Sequence, residues 1–362
     1  MTRCDNWVMQ RRTFLSRAGL ATAGLAATAG CMGDSSDAGS NDGTLTIATY
    51  SSFTGEDTAG NWLKSAFEEE HADATVEFQT PENGINRFVQ RKASGATVDA
   101  DLFVGLNTGE LVRVDEQLDD QLFATVEDSL EGADTVDSSL SFDPEGRAIP
   151  YDTGFISLVY DEEAVDAPGT FDALLDPAYE DGLIAQNAQQ SDPGRAFLLW
   201  TIDAKGPDGY LDYWQGLVDN GVQILSDWQP AYQAYTNEEA PMVVSYSTDQ
   251  VYYHGEGVDM SRHQVGFLND QGYANPEGMA QFADADNPEL AREFMSFVLS
   301  ETAQKEIAVR NVQFPAVEGV EPGGDFGKYA LRPPEAVTFS YDDLAGNVDG
   351  WIEDWARQIA GQ

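Results

Sequence analysis

Between Leu45 and Leu106 the sequence changes period four times, and this alternation limits the chain more than any other feature. Leu45-Thr46-Ile47-Ala48-Thr49-Tyr50 alternates and is β-branched, which predicts a strand. Residues 58–71 predict an amphipathic helix, with Trp62, Leu63, Ala66 and Phe67 on one side. Ala74 to Gln79 predicts a second strand, Ile85 to Ala93 a second helix and Asp101 to Leu106 a third strand. Strand and helix alternating in units this short predict an α/β layer with largely parallel strands. Such sheets bind ligands beyond the carboxyl ends of their strands. Tyr50-Ser51-Ser52-Phe53 and Asn107-Thr108-Gly109 occupy two of these ends.

A second α/β region follows a long extended stretch, Ala148 to Asp161, whose length suits a strand that leaves one domain and enters another. Strands are expected at 183–186, 222–226 and 242–246. Helices are expected near 193–204, 207–219, 230–237 and 248–254. Asn287-Pro288-Glu289 opens a helix with Leu290, Phe294, Phe297 and Val298 as its apolar face. Another helix is expected from Thr302 to Arg310, and an aromatic one around Trp351 and Trp355. The sequence shows no internal repeat, and after its first thirty residues no membrane-spanning run.

Charge narrows the function classes. The chain has 362 residues, with 63 Asp+Glu against 19 Lys+Arg, a formal net charge of −44. That excludes a nucleic-acid binder, which needs clustered Lys/Arg. It also argues against docking on an anionic membrane through a basic patch. The acids could recruit a cationic partner or adapt the surface to a salt-rich medium. Their even spread along the chain favours the halophilic reading.

The N-terminus reads as an address. Gln10-Arg11-Arg12-Thr13-Phe14-Leu15 resembles a twin-arginine export signal, which implies folding before transport. The Ala/Gly-rich run Ala18 to Ala29 is too short to span a bilayer. It ends in Thr28-Ala29-Gly30-Cys31, similar to a lipobox, which implies cleavage before Cys31 and lipid on its thiol. Residues 31–43 form a small, polar, flexible tether. Removal of residues 1–30 takes away four Arg and one Asp, so the mature chain carries −47. Cys4 leaves with the signal, and no intrachain disulfide is possible.

The order of elements resembles the two-lobed solute-binding proteins of ABC importers, and more closely the thiamine-binding proteins of bacterial thiamine importers. Ile47 to Phe53 is similar to that family's first strand and loop. Ile149-Pro150-Tyr151-Asp152-Thr153-Gly154-Phe155 with Val159-Tyr160-Asp161 resembles its crossover strand. Ser191-Asp192-Pro193-Gly194 with Leu198-Leu199-Trp200, Trp228 with Ala231-Tyr232, and Ser245-Tyr246-Ser247-Thr248 with Tyr252 resemble three further motifs. The resemblance implies a type II periplasmic-binding-protein fold with discontinuous lobes. Lobe 1 is expected to comprise 44–150 plus 266–312, and lobe 2 to comprise 157–265 plus 316–362. Crossover strands are expected near 150–157 and 312–316. It implies a monomeric, extracytoplasmic receptor held at the outer face of the cytoplasmic membrane through Cys31. This receptor would deliver thiamine or a thiamine phosphate to an ABC permease and its ATPase.

Five ligand positions carry over from the family: Tyr50, Ser191, Trp228, Tyr246 and Tyr252. Two positions depart from it. Ser51 replaces an acid, and Val312, in Arg310-Asn311-Val312-Gln313-Phe314-Pro315, replaces a tryptophan. The chemistry suits thiamine, whose thiazolium is a permanent cation and whose aminopyrimidine is flat. Aromatic faces attract such a cation. Asp152, where the chain crosses between lobes, can balance the charge or accept a hydrogen bond, and Glu277 is a further candidate. Ser191-Asp192-Pro193 is a helix start, with Ser or Asp as the cap, where free N–H groups suit a phosphate. Asp192 would repel one, which favours free thiamine. Tyr252-Tyr253 supports an alternative, the ferric-ion-binding receptors of the same superfamily, where two phenolates bind iron. No cofactor and no catalysis are expected: there is no G-x-S-x-G elbow, no H-E-x-x-H, no Walker loop and no catalytic Cys. A secreted hydrolase built on a carboxylate pair is the second alternative.

Overall fold

The computed structural model describes residues 43–255 and 257–359. The expected signal peptide, Cys31 and all of the tether but Gly43 lie outside them. Strand β1 (Thr44–Ala48) runs parallel to β2 (Thr75–Gln79) on one side and β3 (Leu102–Leu106) on the other. Helices α1 (Ala59–Glu70) and α2 (Asn86–Ala93) connect them. The Thr58 side chain caps α1 by accepting from the backbone N–H of Asn61. Helix α3 (Thr108–Gln117) starts directly after β3 and is fixed by a capping box. Asn107 Oδ1 accepts from Glu110 N at 2.9 Å, and Glu110 Oε2 accepts from Asn107 N at 3.4 Å.

Strand β4 (Ala148–Tyr160) begins the second half. It is followed by β5 (Leu183–Gln186), α4 (Asp192–Lys205), α5 (Tyr210–Asp219), β6 (Gln223–Leu225) and α6 (Trp228–Thr236). Then come β7 (Met242–Tyr246), α7 (Asp249–Tyr253), β8 (Gln264–Gly266) and β9 (Gln271–Gln281). The chain returns through α8 (Pro288–Val298) and α9 (Glu301–Arg310), and ends with β10 (Phe314–Pro315), α10 (Gly324–Tyr329), β11 (Glu335–Val337), α11 (Tyr341–Leu344) and α12 (Val348–Gln358).

The strands form one continuous curled sheet in the order β2-β1-β3-β9-β4-β7-β5-β6, with β8 and β10 on β4 and β11 on β9. Each wing is parallel, as the alternation predicts, but the centre is antiparallel. β9 pairs antiparallel with β3 and with β4, and β4 pairs antiparallel with β7. These two long strands carry the sheet from the first wing into the second. Each wing is covered on both faces. Leu45, Ile47, Phe67, Phe294 and Met295 pack on one face of the first wing, and Phe88, Phe103, Phe123 and Phe282 on the other. In the second wing Phe171, Trp200, Trp214 and Trp355 fill one face, and Tyr232, Tyr235, Ile184 and Val243 the other. A smaller cluster, with Phe155, Ala274, Val312, Phe314 and Phe326, lies where the long strands cross.

The sequence reading misses α3, β8, β9, α10, β11 and α11, whereas β10 falls within the crossover expected near 312–316. For β9 the reason is local composition: Gly272, Asn275, Pro276 and Gly278 are poor strand formers. Pro276 is tolerated because it lies between the part of β9 paired with β11 and the part paired with β3, where one edge has no strand neighbour. The long connection before β4 is held by Arg147. Its guanidinium donates to Asp115 at 2.9 and 2.7 Å and to Asp143 at 2.9 Å, while Asp143 also accepts from backbone N–H groups of Arg147 and Ala148. Among the described residues, no helix is long and apolar enough to cross a membrane.

Candidate ligand-binding site

The carboxyl end of β1 delivers Tyr50 to the crossing point of the long strands. Gly105 makes room for it: at φ +100° it has a backbone few side chains adopt, and a Cβ there would lie 2.6 Å from Tyr50 Cε1. The Tyr50 hydroxyl donates to Glu277 Oε2 at 2.9 Å, and the Tyr151 hydroxyl donates to the same oxygen at 2.6 Å. Asn311 Nδ2 donates to the Tyr50 oxygen at 3.1 Å and to Asp152 Oδ2 at 2.8 Å.

Asp152 on β4 stands opposite Glu277 on β9 in the ladder. The register shifts between Pro150 and Asp152, a β-bulge beside Tyr151 that re-aims side chains at this point. Asp152 is fully buried, and its Oδ1 has no hydrogen-bond partner. Burial, followed by the facing Glu277 carboxylate, pushes the Asp152 carboxyl well above the usual carboxylate range. Burial also pushes Glu277 up to about 7, against the lowering effect of the Tyr151 and Tyr50 hydroxyls. The Tyr50 and Tyr151 hydroxyls are pushed well up, again chiefly by burial, so both remain protonated donors.

The second wing contributes aromatic surface. Tyr246 ends β7, and its ring rests on Gly154 of β4, where a Cβ would approach Tyr246 Cδ1 to 2.6 Å. Its hydroxyl bonds to the Asn275 side chain. Burial raises its pKa, with Asp192, Glu277 and Asp152 adding to the rise, so it faces the same acids as Tyr50. Trp228 starts α6 and is half-buried; its Nε1 donates to Ser245 Oγ at 3.0 Å, one residue before Tyr246. Its ring stacks on Tyr232 at 5.0 Å.

Asp192, first residue of α4, joins the two wings. It accepts from Asn107 Nδ2 at 2.7 Å and from Asn275 Nδ2 at 2.6 Å. Ser191 occupies the N-cap position, but its side chain makes no capping bond; the expected Ser or Asp cap is absent and the buried Ser191 Oγ has no partner. Asp192 is instead engaged by the two asparagines. Tyr252 packs with the small cluster at the strand crossing, whereas Tyr253 belongs to the cluster of Tyr232 and Tyr235 and stacks on His263 at 4.1 Å. These adjacent tyrosines therefore serve different packing surfaces. Val312 is buried in the crossing cluster with φ 56°, a left-handed conformation rare for a β-branched residue.

Of the sequence candidates, the structure brings Tyr50, Asp152, Glu277 and Tyr246 together. It places Trp228 and Ser191 at neighbouring strand and helix ends, and Tyr252 on the crossing cluster. Tyr151, Asn311 and Asn275 were missed as site residues, and Asn107 was marked only as part of a strand end. Tyr151 and Asn311 lie beside residues already singled out, and the uncharged asparagines show their purpose only through the acids they bond.

Residues 62–334 match the bacterial extracellular solute-binding protein family. The chain belongs to this family. The solute-binding protein is 28% identical to the thiamine-binding periplasmic protein of Escherichia coli over 319 residues, 87% of this chain and 93% of that relative. It is 27% identical to the protein of the same name from Haemophilus influenzae, over 87% of this chain and 92% of that one. A solved periplasmic thiamin binding protein superposes with a TM-score of 0.75 at 25% identity, covering 87% of this chain and 96% of that one. The apo ferric ion-binding protein A of Pasteurella haemolytica shares the fold at a TM-score of 0.71 and 13% identity, over 87% and 97% of the two chains. The architecture is thus the two-lobed type II periplasmic-binding-protein fold, and the solute-binding protein is a receptor rather than an enzyme.

Proposed function

We propose that this solute-binding protein receives thiamine, or a thiamine phosphate, outside the cytoplasmic membrane and delivers it to an ABC importer. One observation carries the ligand. Two facing carboxylates, one fully buried with an unpartnered oxygen, lie among tyrosine rings from both wings. Among the described residues no Lys, Arg or His forms an ion pair with either of them. A flat ligand with a fixed positive charge supplies the missing counter-charge, and Tyr50, Tyr246 and Trp228 offer faces to it. Free thiamine is favoured over its phosphates, because Asp192 occupies the helix start where a phosphate would bind.

The two wings act as lobes, split within residues 150–157 of β4 and again at 312–316, and closure on the ligand presents both to the permease. Ser191 and Tyr252 complete the site on the second lobe. Cys31 carries the lipid that holds the monomer at the membrane, after twin-arginine export into a salt-rich medium. Mass spectrometry of the native N-terminus tests the lipid. The ligand is tested by equilibrium binding of thiamine and of ferric ion to Trp228→Ala and Tyr252→Phe. The Trp228 change is expected to weaken thiamine binding about 10- to 30-fold, as loss of a desolvated cation–π contact does. Coloured iron binding lost in Tyr252→Phe, with no thiamine binding by the parent, would establish the ferric-ion alternative.

A further inference from the structure

We propose that Asp152 and Glu277 share a single proton in the empty cleft and release it when a cation enters, so that the site trades one positive charge for another. This rests on the cationic ligand proposed above. The geometry carries it. The two residues are register partners on adjacent antiparallel strands. Glu277 Oε2 takes two hydroxyl donors, Asp152 Oδ2 takes one amide donor, and Asp152 Oδ1 takes none although the residue is fully buried. The groups facing them are Tyr50 from the end of β1, Tyr151 from β4, Asn311 after α9, Tyr246 from β7 and Asp192 from α4. The first four are neutral and the last is a further acid. Two ionised carboxylates without a cation repel strongly in such surroundings, and one retained proton removes the repulsion. The raised values of both groups agree.

The exchange makes the pair a selector for charge. A cation of single charge replaces the proton, which passes to the buffer, and the net charge of the site does not change. A neutral ligand of the same shape leaves the proton in place and gains no Coulomb attraction.

Calorimetry on the folded chain in molar KCl, in two buffers of different ionisation enthalpy, reads the proton directly. About one proton is expected to leave per thiamine bound near pH 6.5, with affinity rising up to tenfold per pH unit and levelling above about pH 7. A neutral thiophene analogue of thiamine is expected to bind more weakly and release none, which controls for protons from the aminopyrimidine. Thiamine binding with no proton release and no pH dependence would overturn the proposal. Infrared spectroscopy of the empty protein gives a readout independent of any ligand. A protonated-carboxyl band present at neutral pH should lose a component in both Glu277→Gln and Asp152→Asn. An unchanged band in both overturns the shared proton. The band component without thiamine binding at any pH would retain the shared proton and reject thiamine as the ligand.

Discussion

At the residue scale, burying the facing acids Asp152 and Glu277 is a cost to the folded protein. Both carboxyl groups are pushed up on folding, Glu277 from the ordinary carboxylate range to about 7. The native state therefore holds a proton that the unfolded chain has already released, and stability falls as pH rises through that interval. Relative to wild type, Glu277→Gln is expected to gain on the order of 1–2 kcal/mol between about pH 5 and 7, allowing for the partial exposure of Glu277. Denaturant titration at the two pH values checks this; equal pH dependence in both proteins would contradict it. Gly105 is a second sensitive position. Ala there combines an unfavourable φ with a Cβ 2.6 Å from the Tyr50 ring. Gly105→Ala is expected to cost about 1–3 kcal/mol of stability and to displace Tyr50, lowering ligand affinity at least tenfold.

At the element scale, the C-terminal segment bridges the two wings. Tyr341 donates to Asp115 Oδ2 at 2.7 Å, the Gly346 N–H donates to Glu116 Oε1 at 2.6 Å, and Arg113 pairs with Asp349, all on α3 of the first wing. On the other side Trp355 meets Trp214 edge-on at 5.3 Å, and Tyr210 donates to the Trp351 carbonyl at 3.2 Å. Asp115 is also the anchor of Arg147, so loop, helix and tail share one carboxylate. Arg147→Ala leaves buried Asp143 without its cation and is expected to cost about 3–5 kcal/mol, measurable by denaturant unfolding. Elements with strong periodicity were legible in the sequence: β1, α1, β4, α8 and α12 fall where their apolar spacing and caps place them. β9 was not, because its conformation is imposed by neighbours on both sides rather than by its own residues. The site divides in the same way. Tyr50, Tyr246 and Trp228 were marked by the family resemblance, with their place at strand and helix ends as support, and Asp152 by the crossover. Tyr151 and Asn311 acquire meaning only when a bulge and a turn at Val312 bring them to the acids.

At the scale of the whole molecule, a net charge of −44 makes stability depend on salt. In molar salt the Debye length is about 3 Å, and self-repulsion across the surface is screened; at 0.1 M it is about 10 Å and repulsion spreads between neighbouring acids. Lowering KCl from about 2 M to 0.1 M is therefore expected to lower the melting temperature markedly, as thermal unfolding followed by circular dichroism would show. In molar salt the same screening prevents surface charge from steering a ligand at distance, which leaves recognition of the proposed ligand to short-range contacts. The most direct measurement of that recognition is isothermal calorimetry of thiamine with the protein in molar KCl at neutral pH. One site per chain with a Kd below about 1 µM is the expected result. No heat and no binding at millimolar thiamine, by a protein shown to be folded, would contradict it.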